Sequence, residues 1–145
     1  MSWEEEPVEN YLDDHLLYRA IDKPFWKNWE PIEIIQPNFF SVSDNEGKGL
    51  STDWSKYSTG DECLLRRNEP TLDRWGIIQL NVKELKDTIR ENGFPLFIKH
   101  DPIHEQPLNR AHTLIKGEMK PNKEKIKRKL SKIAHWAPNL MPFKN

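Results

Sequence analysis

The fold is decided by residues 75–99, which read WGIIQLNVKELKDTIRENGFPLFIK. The first six residues predict a strand, because β-branched and other apolar side chains dominate them. Asn81, with Glu84 three positions later, predicts a capped helix start. Asn92 and the glycine after it predict the helix end in left-handed geometry, and the apolar residues that follow predict another strand.

Further elements are predicted on both sides of this unit. Strands are predicted at residues 15–21, 31–36, 39–43 and 113–116, and residues 50–54 predict a short strand or an irregular segment. A helix is predicted from Ser58 or Thr59 through Arg67, and a second one from about residue 122 to about residue 137.

Strands outnumber helices, which favours the α+β class: a single domain with a mixed or mainly antiparallel sheet and two or three packed helices. Residues 1–14 are interpreted as an acidic N-terminal arm. Residues 15–145 are interpreted as one domain that ends in a basic helix at about 122–137 and a short tail.

Charge is distributed unevenly along the 145 residues, although the net charge is only −1. Residues 1–16 contain six acidic residues and no lysine or arginine, whereas residues 114–145 contain nine basic residues and two acidic ones. The two ends could attract each other across the fold, or the basic end could bind an acidic partner.

The sequence favours a cytoplasmic protein. Its one cysteine, Cys63, excludes an internal disulfide and is expected in the core. The N-terminus lacks the apolar segment of a signal peptide, and no apolar run is long enough to span a bilayer. We therefore expect no membrane partner.

Residues 100–115, HDPIHEQPLNRAHTLI, contain three of the five histidines. Imidazoles with a carboxylate can bind Zn²⁺ or Fe²⁺ when several converge. The spacings between His100, His104 and His112 match no standard metal motif, so surface or core histidines are favoured over a metal site. We expect no metal and no cofactor.

His112 is the favoured acid or base of this stretch. One hypothesis makes His112 a general acid and base or a ligand of a substrate phosphate, with Arg19 or Arg110 holding an anion. In the enzyme that this hypothesis implies, Arg19, Asp53, Asn109 and His112 surround one pocket. In the alternative, His112 bonds a backbone carbonyl at a strand end, and Arg19 pairs with Asp22 or with an acid of the arm.

The C-terminal helix predicts a phosphate-binding or nucleic-acid-binding surface, because its basic residues surround a narrow apolar stripe. A solvated helix face is the alternative. The candidate contacts on this helix are Lys123, Lys125, Arg128, Lys129 and Lys132. Arg110, from residues 100–115, is a further candidate.

Short motifs resemble a family of small, uncharacterised bacterial proteins with the pattern L-Y-R, L-S-x-D, D-P and N-x-A-H. They lie at residues 16–19, 50–53, 101–102 and 109–112. This chain differs from the family's fuller pattern, which reads L-Y-R-R and N-P-A-H, because Ala20 replaces the second arginine and Arg110 replaces the proline.

The opening Tyr-Arg strand is also distantly similar to ADP-ribosyltransferase-like folds. The resemblance implies that Arg19 anchors the phosphates of NAD and that Ser51 or Asp53 is a pocket residue. The catalytic glutamate that these enzymes often use is not identifiable in this sequence.

Two functions are therefore expected. The first is a small cytosolic bacterial binding or accessory protein that acts through protein or nucleic-acid contacts, in a defence or toxin-type system. The second is a nucleotide- or RNA-directed enzyme, ADP-ribosyltransferase-like or nuclease-like, with Arg19 and His112 in one pocket. The sequence leaves the oligomeric state open.

Overall fold

Six strands form one antiparallel sheet in the computed structural model, which describes residues 3–41 and 49–143. The order across the sheet is β4-β5-β2-β1-β3-β6, and every neighbouring pair is antiparallel. The predicted α+β class and mainly antiparallel sheet are confirmed. The strands are β1 (Leu16–Asp22), β2 (Leu50–Trp54), β3 (Trp75–Asn81), β4 (Leu96–His100), β5 (His112–Gly117) and β6 (Ala134–Trp136).

Four α-helices belong to the described ranges: α1 (Lys23–Trp26), α2 (Gly60–Leu65), α3 (Val82–Asn92) and α4 (Lys123–Ile133). Two 3₁₀ helices cover Val8–Asn10 and Pro37–Phe40. None of the helices in these ranges has the length and the apolar character that crossing a membrane requires.

The larger core lies between one face of the sheet and helices α3 and α4. Leu17 and Ile78 are fully buried on this face, and Leu85 of α3 and Leu130 of α4 pack into the same core. The predicted cap of α3 is confirmed, since the Asn81 side chain accepts a hydrogen bond from the Glu84 amide at 3.0 Å.

Helix α4 ends at Ile133, four residues before the predicted end near residue 137. The backbone becomes extended at Ala134, and Ala134–Trp136 form β6 against the free side of β3. The indole of Trp136 donates a hydrogen bond to the Ile32 carbonyl at 2.8 Å. Pairing with the sheet therefore replaces the last helical turn that the apolar spacing predicts.

Residues 31–36, predicted as a strand, are not a strand in the structure. The strand predicted at 39–43 is also wrong over its described part, because Pro37–Phe40 form a 3₁₀ helix. Phe39 and Phe40 are both buried, which a strand with one buried face does not allow for consecutive residues. Residues 42–43 of that prediction lie outside the described residues.

The opposite face of the sheet has a smaller core around α2. Cys63 and Leu64 of this helix pack on Ile77 of β3 and on Leu140 of the C-terminal segment. Thr59 caps α2 through a reciprocal pair of hydrogen bonds with Glu62, as the sequence predicts for a helix start here. This face carries the candidate site.

The acidic N-terminal arm packs on the body of the domain. The Glu6 carboxylate accepts a hydrogen bond from Lys56 at 2.6 Å and another from the Tyr57 hydroxyl. Glu5 lies 3.9 Å from the ammonium of Lys99. Among the ion pairs of the described residues, none joins the arm to α4.

Candidate functional site

A cleft of about 180 Å³ opens on the α2 face of the sheet and is lined by residues of strands β1, β2 and β5. Antiparallel register places Asp53 of β2 between Tyr18 of β1 and His112 of β5. The polar and sulfur-containing side chains that line the cleft and bear on its chemistry are Ser51, Asp53, Cys63, Arg67, Asn109 and His112. Three of the four residues predicted as catalytic therefore line one cleft.

Asp53 is a buried residue, 3% exposed to solvent, and both of its carboxylate oxygens accept hydrogen bonds. One oxygen accepts a hydrogen bond from the Asn109 side chain at 2.8 Å. The other accepts one from the Arg66 guanidinium at 2.8 Å, and the same Arg66 nitrogen donates to Ser58 at 2.9 Å. A carboxylate satisfied in this way ties β2 to α2 and to the loop before β5.

Asn109 fixes the loop that leads into β5. Its side-chain oxygen accepts a hydrogen bond from the Ala111 amide at 3.0 Å. Its backbone also exchanges hydrogen bonds of 2.8 and 3.0 Å with Ile103, which closes the loop across its base. The loop therefore reaches His112 with a fixed geometry.

His112 is held on one side of its ring and open on the other. Its Nδ1 lies 2.9 Å from the Asp101 carbonyl oxygen and 3.2 Å from the Asp101 carboxylate. Both neighbours are acceptors, so Nδ1 carries the ring proton and the neutral ring keeps a lone pair on Nε2. That nitrogen faces the Ser51 hydroxyl oxygen at 3.4 Å.

The other histidines of the stretch have different roles. His100 is buried; its Nδ1 accepts the Glu6 amide at 3.0 Å, and its Nε2 then donates to the Arg110 carbonyl at 2.7 Å. His104 accepts from the Trp3 amide. Residues 3–41 and 49–143 contain no group of three or more His, Cys, Asp or Glu side chains placed to hold a metal ion.

Arg19 lies in a neighbouring cleft of about 330 Å³, which shares Ala20 and Ser51 with the first. Strand alternation places its side chain on the face of Leu17, opposite to that of His112. The structure therefore does not bring it into the cleft that Asp53, Asn109 and His112 line.

The guanidinium of Arg19 bridges main-chain carbonyls where the β1–β2 ladder ends. It donates to the carbonyls of Phe39 at 2.9 Å, Ser51 at 3.0 Å and Ser41 at 3.3 Å. Burial lowers the pKa of Arg19 to about 10, which leaves the side chain protonated at neutral pH. Asp22, the partner considered from sequence, instead binds Arg74 at 3.1 Å.

Cys63 lines the cleft but is not a reactive thiol. It is 2% exposed, and burial, reinforced by the nearby Asp53 carboxylate, raises the pKa of the thiol. A protonated, buried thiol is a poor nucleophile. The expected core role of Cys63 agrees with this position.

The basic helix α4 lies on the other face of the sheet from the cleft. Lys125, Arg128 and Lys132 are exposed, and no carboxylate of the described residues lies within 4.0 Å of them. Lys123 and Lys129 are half-buried. Arg110 does not belong to this helix, and its guanidinium lies 4.1 Å from the centre of the Tyr57 ring.

The roles of two site residues were not predicted from the sequence. Asp101 is the orienting partner of His112, and Arg67 is a cation at the cleft wall. Ser51 was not paired with His112 from the sequence. The alternation of β2, which puts Ser51 and Asp53 on one face, could have placed the serine beside His112 once the β2–β5 pairing was known.

The chain was compared with protein-family models, curated proteins and solved structures. No protein-family model, curated protein or solved structure matches the chain. The function is therefore argued from the geometry of the site.

We expect Asp53→Ala to lower the free energy of unfolding by about 3 to 5 kcal/mol, because it leaves Arg66 and the Asn109 amide without their shared acceptor. Urea denaturation measures the change. Asp73→Ala, which removes an exposed carboxylate, is the matched control and should stay within about 0.5 kcal/mol of the parent protein. Equal effects of the two substitutions would contradict the structural role given to Asp53.

Proposed function

We propose that the protein is an enzyme that uses His112 as a general acid and base on a small anionic ester. The observation that carries the proposal is the imidazole itself, with Nδ1 bonded to Asp101 at 2.9 and 3.2 Å and Nε2 directed at the cleft. An imidazole oriented by a second group, with its free nitrogen on a cleft, has the geometry that proton transfer requires.

Arg67 supports an anionic substrate. Its Nε is buried, and it has no hydrogen-bond partner among the described residues. The charge of Asp53, the buried carboxylate of the cleft wall, is already compensated by Arg66 at 2.8 Å. An incoming carboxylate or phosphate would give the Arg67 guanidinium the charged partner that it lacks in the cleft.

The cleft volume limits what enters. At about 180 Å³ the cleft is smaller than a typical ligand pocket, so it accommodates the reacting ester group with a few attached atoms. The adjoining cleft of about 330 Å³ offers room for the remainder of a longer substrate. Nucleotides, which the sequence suggests as substrates, are anionic esters and therefore remain within the proposed substrate class.

The proposal is tested by turnover of a panel that contains cyclic nucleotides, simple phosphodiesters and short carboxylic esters with a free carboxylate. With the member that is turned over, His112→Gln should lower kcat/KM by about 10² to 10⁴-fold, because the proton acceptor is lost. Asp101→Asn, at a half-exposed position, should lower it as well by disturbing the ring orientation.

The control for this test is His135→Gln, which changes an exposed histidine on β6 and should leave turnover unchanged. Turnover that survives His112→Gln, or no turnover of any panel member by the parent protein, would contradict the proposed activity.

A second function, nucleic-acid binding, is favoured by the exposed basic face of α4. Lys125, Arg128 and Lys132 recur at intervals of three and four residues and therefore project from one side of the helix. The exposed cations of α3 differ, since Lys83 and Arg90 both pair with Asp87 at 2.9 Å. Cations without a carboxylate partner are available to phosphates.

Binding to a short single-stranded RNA tests this second function. Lys125→Glu combined with Arg128→Glu should weaken binding by about tenfold or more at low salt and reduce the dependence of affinity on salt. The control, Lys23→Glu with Lys27→Glu, makes the same change in net charge at exposed positions of α1 and the residue after it. Equal losses in both double variants would exclude α4 as the specific contact surface.

The remaining expectations from the sequence stay predictions. They are the bacterial family, the distant likeness to ADP-ribosyltransferase-like folds, the defence or toxin-type role, a protein partner at the basic helix and the cytoplasmic location. The likeness would assign the phosphate contact to Arg19, whereas the cleft chemistry proposed above assigns it to Arg67.

A further inference from the structure

Three side chains at the cleft form a chain of contacts that ends in a hydroxyl group. The Asp101 carboxylate lies 3.2 Å from His112 Nδ1, and His112 Nε2 lies 3.4 Å from Ser51 Oγ. The elements that hold them are different: Asp101 follows β4, His112 begins β5 and Ser51 belongs to β2, which pairs with β5. Sheet register, and not local sequence, brings the three together.

We propose that Ser51 is the nucleophile of this site and that the substrate is a carboxylic ester. The inference rests on the proposed function of His112 and adds a covalent step to it. The order carboxylate, imidazole, hydroxyl is the arrangement by which a serine is activated on unrelated folds.

The protonation of the ring is the one that such a step needs. Because the two atoms that face Nδ1 are both acceptors, the proton of neutral His112 is on Nδ1. Nε2 therefore presents a lone pair to the Ser51 hydroxyl. At 3.4 Å the contact is longer than an ideal hydrogen bond, as is common for catalytic contacts before substrate binds.

The surroundings favour Ser51 over the other nucleophilic group of the cleft. Ser51 is exposed and can meet a substrate, whereas Cys63 is buried and its thiol is held in the protonated form. Arg67 lines the same cleft and, as in the proposed function, holds the anionic group of the ester beside Ser51.

The proposed reaction has two balanced steps. In the first, Ser51 Oγ bonds to the ester carbonyl carbon, its proton passes to His112 Nε2, and the ester C–O bond breaks as His112 returns the proton to the leaving alcohol. In the second, His112 Nε2 takes a proton from water, the hydroxide oxygen bonds to the acyl carbon, and the acyl–Oγ bond breaks with return of the proton to Ser51.

Covalent labelling with diisopropyl fluorophosphate tests the nucleophile directly. Attack by Ser51 forms an Oγ–P bond and releases fluoride, so intact mass should increase by one diisopropylphosphoryl group and peptide mapping should place it on Ser51. Ser51→Ala should abolish this label, and His112→Gln should slow it by about 10² to 10⁴-fold. Ser131→Ala, a change on α4, should label at the rate of the parent protein.

The failure of this inference is distinguishable from the failure of the proposed function. No label on Ser51, or a label whose rate is independent of His112, would overturn the nucleophile. If Ser51→Ala keeps ester turnover while His112→Gln loses it, His112 remains the base and attack comes from water. If both variants keep turnover, both proposals fall.

Discussion

The geometry of the site depends on the hydrogen bonds of the buried Asp53 carboxylate. This carboxylate accepts hydrogen bonds of 2.8 Å from both Arg66 and Asn109, and so connects the central strand β2 to the end of α2 and to the loop before β5. A buried ion pair is worth little for stability compared with apolar packing, but breaking one leaves an uncompensated charge. The contribution of the Asp53 carboxylate is geometric, because its bond to Asn109 sets the path of the loop that connects Asp101 to His112.

The sheet divides the molecule into two chemically different sides. One side has the larger core, helices α3 and α4 and the exposed basic residues of α4. The other has α2, the cleft and the contacts between Asp101, His112 and Ser51. A ligand held by α4 is therefore not presented to His112 within one copy of the domain, and the two proposed functions are independent of each other.

Much of the fold followed from local patterns, and the rest depended on pairing between distant segments. The capped start of α3 at Asn81, the glycine stop after it and the strands on either side of α3 have short-range causes that a sequence displays. The 3₁₀ helix at Pro37–Phe40 and the early end of α4 are set by tertiary burial and by the ladder between β6 and β3. Neither is visible in a local window.

The candidate site shows the same division. His112 was identifiable as a polar group at the entrance of a predicted strand, with Asn109 three positions before it and Asp53 in the L-S-x-D motif, and the structure places the three on one cleft. The grouping of Arg19 with these three residues was wrong. Tyr18 of β1 lines the cleft, and Arg19, the next residue along the strand, faces the other side of the sheet. Asp101 gained its role only from the fold, where its carboxylate meets Nδ1 of His112 at 3.2 Å.

The proposed chemistry requires that Asp101 fix the His112 ring with its proton on Nδ1 and its lone pair directed at the cleft. Nitrogen-15 chemical shifts of the imidazoles in their neutral form measure this directly, because protonated and bare ring nitrogens resonate far apart. We expect a protonated Nδ1 and a bare Nε2 for His112, and the reverse pattern for His100, whose Nδ1 accepts the Glu6 amide at 3.0 Å. A His112 ring with its proton on Nε2, as in a histidine free in water, would contradict this expectation.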